Sequence, residues 1–125
     1  MEHGFILGKF APFHSGHVYL IQQALAYCEG LTVLVSSTAA DAIPGWLRYH
    51  WVKSTFPELD VRHVIVPELS ESSKLSESFM SNEVVLRNIP KDTTHLFESG
   101  ETQKSLASRL GVYHVTIDPE RHNFP

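Results

Sequence analysis

The sequence has one cysteine, no long apolar run and no excess of positive charge. A single thiol, Cys28, excludes an intramolecular disulfide and suits a reducing compartment. Nothing approaches the run of about 18 or more apolar residues that a membrane span requires. Lysine and arginine number 10 against 14 aspartates and glutamates, a formal charge of −4. A nucleic-acid surface normally needs a basic face, so no nucleic acid and no membrane are expected as partners. No basic leader with a cleavable apolar stretch precedes the first apolar segment, so no signal peptide is read and the expected compartment is the cytoplasm. Internal repeats are absent, and the only compositionally biased stretch is the serine- and glutamate-rich run from Glu68 to Ser78, expected to be a loop.

What is present is an ordinary globular composition, 42% hydrophobic and 19% charged, in 125 residues. That length predicts one domain, residues 1–125, with a real core. Gly4-Phe5-Ile6-Leu7 reads as a short apolar strand. Val18, Ile21, Leu25 and Cys28 then repeat at helical spacing, with Leu20, Ala24 and Tyr27 widening the apolar face. Leu31–Ser37 is a buried strand, and a helix opens at Ile43-Pro44 and runs to Phe56-Pro57. Val61–Val66 is a third strand. A short helix is expected over Phe79–Asn88 and a fourth strand over Thr94–Glu98. A helix over Glu101–Leu110 is capped by Gly111, and a fifth strand covers Val112–Ile117. Strands that are nearly continuously apolar and alternate with helices predict an α/β fold, a parallel five-stranded sheet covered on both faces.

Between the first strand and helix stands Gly8-Lys9-Phe10-Ala11-Pro12-Phe13-His14-Ser15-Gly16-His17. A glycine-bearing turn leading from a strand into a helix start is a natural anion site, because free backbone N–H groups and the positive end of the helix dipole point the same way. Gly8 would let backbone approach a phosphate, Pro12 stiffens the loop, and Gly16 removes a side chain at the helix mouth. Lys9, His14 and His17 add a cation and two N–H donors. His17 is expected to contact ligand and not core. The plainer reading of the two histidines is a polar helix start or half of a zinc site, but Cys28 lies at the far end of the helix and no further ligands stand at sensible spacing.

Gly8-x-Phe10-x-Pro12-x-His14-x-Gly16-His17-x-x-Leu20-Ile21-x-x-Ala24 resembles the N-terminal signature of the HxGH nucleotidylyltransferase superfamily. Within it, the pattern is most similar to that of the bacterial nicotinamide-mononucleotide (NMN) adenylyltransferases, which carry a basic residue where Lys9 stands. The resemblance implies a Rossmann-like, doubly wound fold and transfer of AMP from ATP to NMN, giving NAD and pyrophosphate. It implies that Lys9, His14 and His17 are catalytic, and that Gly8, Phe10, Gly16, Ser99 and Arg121 bind the nucleotide. Magnesium would be held mainly by phosphate oxygens, with no protein metal site.

Ile43-Pro44-x-x-Leu47-Arg48-x-x-Trp51 is similar to the second helix of these enzymes, which implies that Arg48 faces the substrate cleft. The alternative is a solvated arginine or a stem packed on Trp51 or Val52. Phe79-Met80-Ser81-Asn82 stands where the family often shows Trp-x-Asn, so Met80 and Asn82 are expected against the nicotinamide. Met80 departs from the aromatic, and Phe79 or Trp46 are substitutes; Asn82 would otherwise be a helix cap. Phe97-Glu98-Ser99-Gly100-Glu101 corresponds to a turn near the adenine, and Asp118-Pro119-x-Arg121 to a family motif after the fifth strand. In the family a helix bearing Ser/Thr-x-x-Arg follows the position of Pro125, so the domain is expected to be C-terminally short. The rival expectations are another HxGH nucleotidylyltransferase, of cytidylyl or pantetheine-phosphate type, and a catalytically impaired nucleotide-binding remnant. Small nucleotides, ATP and NMN, are the expected partners, with room for a homo-oligomer.

Overall fold

The computed structural model describes residues 2–67 and 83–117. Five strands, β1 (His3–Gly8), β2 (Gly30–Ser37), β3 (Asp60–Ile65), β4 (His95–Glu98) and β5 (Tyr113–Thr116), form one parallel sheet in the order β3-β2-β1-β4-β5. Among the described residues four helices accompany them: α1 (Ser15–Tyr27), α2 (Gly45–Thr55), α3 (Glu83–Arg87) and α4 (Lys104–Leu110). The expected α/β, doubly wound, Rossmann-like architecture is what the chain adopts. The stretch 68–78 and the start of the expected helix over 79–88 lie outside the described residues.

Alternation along the strands builds two cores. Ile6, Val33, Val35 and Phe97 point to the face covered by α1 and α2, where they meet Leu20, Ile21, Ala24 and Val52. Phe5, Leu7, Leu34 and Leu96 point to the opposite face, against Val85, Ile89, Leu106 and Ala107. The helix stripes differ in detail from the sequence expectation. On α1 the buried side is Leu20, Ile21 and Ala24, with Cys28 just beyond, while Leu25 is 39% exposed and Tyr27 55% exposed. The stripe is narrower than the spacing of Val18, Ile21 and Leu25 suggests, because only one edge of the helix reaches the sheet.

Helix ends follow local chemistry. α4 stops at Gly111, whose φ of 72° is left-handed and lets its N–H reach back to Ala107 and Ser108 carbonyls. Pro44 stands one position earlier than expected, as the N-cap of α2. Gly45 then starts that helix where no side chain fits: a Cβ there would lie 2.3 Å from both His63 Nε2 and Ser37 Oγ. Those two atoms hydrogen-bond at 2.7 Å, so neither can yield without losing the other. Gly45→Ala is therefore expected to destabilise the protein by about 1–3 kcal/mol, read as a lower urea midpoint at unchanged m-value. A midpoint equal to that of the parent protein would show that the α2 start has slack that this packing does not suggest.

The topology also sets the place for a ligand. From β1 the chain winds outward through β2 to β3, then crosses back to β4 on the other side of β1. The carboxyl ends of β1 and β4 thus flank the switch point, where open parallel sheets bind ligands.

Candidate functional site

The Gly8–His17 turn leaves the carboxyl end of β1 at this switch point, and Ser99 follows β4 directly on the neighbouring strand. The turn is shaped from within. Phe10 has a positive φ of 52°, uncommon for a bulky residue, and its ring is driven back into the core at 3% exposure. That ring lies under Gly8, where a Cβ would come 2.9 Å from Phe10 Cζ. The expectation for Phe10 changes accordingly. The missing side chain of Gly8 makes room for the Phe10 ring, and the Phe10 side chain belongs to the core, so at both positions only backbone is left to face a ligand.

His14 and His17 are brought together and interlocked. His14 is the N-cap of α1, and its Nδ1 accepts the Gly16 N–H at 3.1 Å. His17, at the third helical position, returns the bond: its Nδ1 accepts the backbone N–H of His14 at 3.2 Å. This is a capping box made from two imidazoles, and it satisfies donors that a helix start otherwise leaves open. The rings stack with centroids 3.9 Å apart. The Phe13 ring is parallel to that of His17 with centroids 5.8 Å apart, and Phe10 meets it nearly perpendicular at 4.8 Å. His17 therefore touches core as well as any ligand, contrary to the expectation that it contacts ligand alone.

Burial and the neighbouring charge of His14 push the His17 imidazole down to about 4. The unfolded ring titrates near 6.5, so between those values the unfolded chain binds a proton that the folded chain refuses. His63, lowered by burial and by the Arg48 charge, acts in the same direction. Stability is thus fully present above about pH 7 and expected to fall by about 1–2 kcal/mol as pH drops from 6.5 to about 4, after allowance for the partial exposure of His17. Urea titrations across this range check it, and His17→Gln should lose part of the slope. A flat profile in the parent protein would contradict the packing described for these rings.

Arg48 is placed otherwise than the cleft-facing expectation. It is completely buried at 0% exposure. Nε donates to the Ile43 carbonyl at 2.9 Å, Nη1 to the carbonyls of Lys9 at 2.6 Å and Ser36 at 3.2 Å, and Nη2 to Asp41 Oδ2 at 2.5 Å. One guanidinium thus ties the turn after β1 to the end of β2 and to the loop before α2. Burial alone would raise the Asp41 carboxyl, but hydrogen bonds from the Thr38 backbone and hydroxyl and from Arg48, with the charge of Lys9, hold it below the usual carboxylate range. Lys9 is half-buried, with its ammonium close enough to act on Asp41 and its carbonyl on Arg48.

Across the switch point a second buried polar knot supports the turn after β4. Glu98 Oε1 accepts from the Gln103 N–H at 2.7 Å and from His114 Nε2 at 2.6 Å, and Oε2 accepts from Thr102 Oγ1 at 3.0 Å. The Gln103 side-chain amide donates to the Leu7 carbonyl at 3.1 Å, fastening this turn to the end of β1. Ser99 itself is exposed at the tip. Met80, Asn82 and Arg121 lie outside the described residues. Sequence reasoning missed Asp41 and the pair Glu98–His114. The signal for the first was Thr38-x-x-Asp41, a local side-chain-to-backbone turn pattern, and for the second an acid closing an apolar strand.

Cavities do not by themselves point to this site. A hollow of about 350 Å3 adjoins it, lined by Pro12, Phe13, Trp51, Ser54 and Thr55. A cleft of about 500 Å3 lies at the opposite end of the sheet, by His3, Gly30 and Asp60, where the strands begin. Strand order and donor chemistry carry more weight here than volume, since ligands in such sheets sit beyond the carboxyl ends.

Comparison with known proteins gives the family and the fold. The sequence family described as citrate lyase ligase C-terminal domain matches residues 4–89, well over half of the chain. The trifunctional NAD biosynthesis/regulator protein NadR of Escherichia coli (strain K12) is 25% identical over 138 residues, covering 94% of this chain and 33% of that protein. A NadR protein solved in complex with NAD and AMP-PNP superposes with a TM-score of 0.64 at 19% identity, over 98% of this chain and 39% of that one. A bifunctional NMN adenylyltransferase/ADP ribose pyrophosphatase from Francisella tularensis gives 0.63 at 15% identity, over 94% and 38%. The two structures share the fold. The chain spans about a third of the length of the curated relative. The sequence resemblance points to the NMN adenylyltransferases, whereas the family matched is that of the citrate lyase ligase C-terminal domain. By that match the chain belongs to the citrate lyase ligase C-terminal domain family, and so to the nucleotidyltransferase superfamily.

Proposed function

We propose that this domain transfers AMP from ATP to NMN, giving NAD and pyrophosphate, at the turn between β1 and α1. The observation that carries the reading is the pair of interlocked imidazoles at the start of α1, set at the switch point of a parallel sheet. The residues proposed to act are Lys9, His14 and His17 on the phosphates, with the backbone of Gly8, Phe10 and Gly16 and, across the gap, Ser99. Met80, Asn82 and Arg121 remain proposals from sequence alone. Arg48 is proposed to serve the site by fixing the Lys9 carbonyl. The relatives' names support the choice of substrates, since NadR is described as an NAD biosynthesis protein and one structural neighbour as an NMN adenylyltransferase.

The chemistry asks little of the protein in covalent terms. The attacking phosphate oxygen of NMN is already an anion and displaces pyrophosphate at the α-phosphorus. The protein aligns two anions that repel each other and offers donors to the charge that develops. A cation and imidazole N–H groups suit that task better than carboxylates. Magnesium, when bound, would neutralise phosphate charge while held mainly by phosphate oxygens, because it keeps its waters and prefers substrate phosphates.

A second reading follows from the family match. A ligase of this family would direct the same α-phosphorus towards a carboxylate acceptor, giving an acyl-adenylate and the same leaving group. Incubation with ATP, magnesium and either NMN or a small carboxylate separates the two. NAD formation supports the first reading, pyrophosphate release with the carboxylate alone supports the second, and no release with either removes adenylyl transfer from this domain.

A further inference from the structure

We infer that the cleft of about 500 Å3 where the strands begin is a second ligand site, built to take a small protonated amine on an apolar frame. It lies at the end of the sheet away from the β1–α1 turn and does not depend on the function proposed for that turn.

The chemistry starts from three side chains linked across β1, β2 and β3. Thr32, completely buried, has one hydroxyl hydrogen and gives it to Asp60 Oδ2 at 2.9 Å. Burial would raise the Asp60 carboxyl, but hydrogen bonds from Arg62 and Thr32, with the Arg62 charge, hold it below the usual carboxylate range, so it accepts. Thr32 Oγ1 then has only lone pairs to offer His3 Nε2, 3.0 Å away, and the imidazole donates there. The neutral ring is thereby held as the Nε2–H tautomer. Its Nδ1 keeps a lone pair with no partner among the described residues.

Gly30 leaves that lone pair uncovered. The Gly30 backbone is not left-handed, so conformation does not call for a glycine. Space does, since a Cβ would lie 2.7 Å from His3 Nδ1. Both residues line the cleft, and the acceptor stands at its wall.

The rest of the wall selects the kind of donor. Leu25, Leu31, Phe56 and Leu59 supply apolar surface, which gives the 39% exposed Leu25 a use that packing on the sheet does not. Glu29 and Glu58 line the same cleft, and neither carboxylate has an ion-pair partner among the described residues, whereas Asp60 is paired with Arg62 at 3.0 Å. Among the described residues no lysine or arginine lines it. Lys53, in the last turn of α2, gives its ammonium to the Leu59 carbonyl at 2.6 Å. Helices α1 and α2 both end here, so the negative ends of two dipoles lie on one side. An oriented acceptor, free carboxylates and apolar walls suit an ammonium group on an apolar body, and they disfavour phosphates and carboxylates. The volume is that of a small-molecule site.

Amide NMR of the whole chain at low salt tests this with phenethylamine, phenethyl alcohol and hydrocinnamate, which share one apolar body and differ in charge. Phenethylamine should shift the amides of Gly30, Leu31, Leu59 and Asp60 and bind about tenfold or more tighter than hydrocinnamate. Glu29→Gln combined with Glu58→Gln, at two exposed positions, should remove most of the preference for the amine over the alcohol and leave the alcohol unchanged. His3→Phe keeps a ring without an acceptor and should weaken amine and alcohol alike, by about threefold or more. Should that variant not fold, the glutamine pair still decides. Hydrocinnamate binding as tightly as the amine, shifts confined to the β1–α1 turn, or no binding of any probe would overturn the inference. So would an undiminished preference for the amine in the double variant. None of the probes carries a phosphate, so loss of the nucleotide reading would leave this result standing.

Discussion

Replacing His17 by glutamine is expected to lower adenylyl transfer by about a hundredfold or more while α1 stays folded. Glutamine at the third helical position can still reach back to the N-cap N–H, as in the ordinary capping box, so the bond that His17 makes to the His14 backbone has a substitute. What it cannot supply is the flat ring that stacks with Phe13 and His14, with its remaining N–H aimed by that packing. An alanine there would remove cap, stack and donor together, and its effect could not be divided among them. Pyrophosphate release measured beside circular dichroism makes the check. Turnover equal to that of the parent protein, with helix content intact, would take His17 out of the chemistry.

Arg48→Ala should have the largest effect on stability, a loss of about 3–5 kcal/mol. The guanidinium is fully buried and bonds three carbonyls and one carboxylate, so its removal orphans the oxygens of Lys9, Ser36 and Ile43 and leaves Asp41 without its ion-pair partner. Arg48→Lys keeps the charge but not the fork, so it can serve one or two of those oxygens and should fall between the two. Urea denaturation of the three proteins gives the order. A loss below about 1 kcal/mol in the alanine variant would mean that water or neighbouring donors replace the guanidinium, and that the turn after β1 is not fastened from beneath.

The sequence carried the architecture well, and the reason lies in its strands. Leu31–Val35 and Phe5–Leu7 are apolar on both faces, which only a covered parallel sheet explains, and Gly111 announced its own left-handed cap. The place of the candidate turn was legible too, since a turn bearing glycine and histidine after the first strand must open at that strand's carboxyl end. The roles inside the turn were not. Local sequence says nothing of where the Phe10 ring goes once its backbone turns left-handed, so the room that Gly8 makes for it was not legible. Arg48 read as a cleft residue because a helix period cannot reveal that three carbonyls from separate segments converge on one side chain. His17 has its ring inside the aromatic packing besides the donor role proposed for it, and a short spaced motif points only to the second.

β1 has partners on both sides, β2 along its whole length and β4 at Gly4 and Phe5, whereas β3 and β5 close the sheet at its edges. In hydrogen exchange the edges would open first and the amides of β1 last, with the free energy of global unfolding. The turn that this strand carries is therefore mounted on the part of the molecule that opens last. An anion gripped there adds its binding free energy to the stability of the strand that opens last, so a rise in Tm would follow ligand concentration.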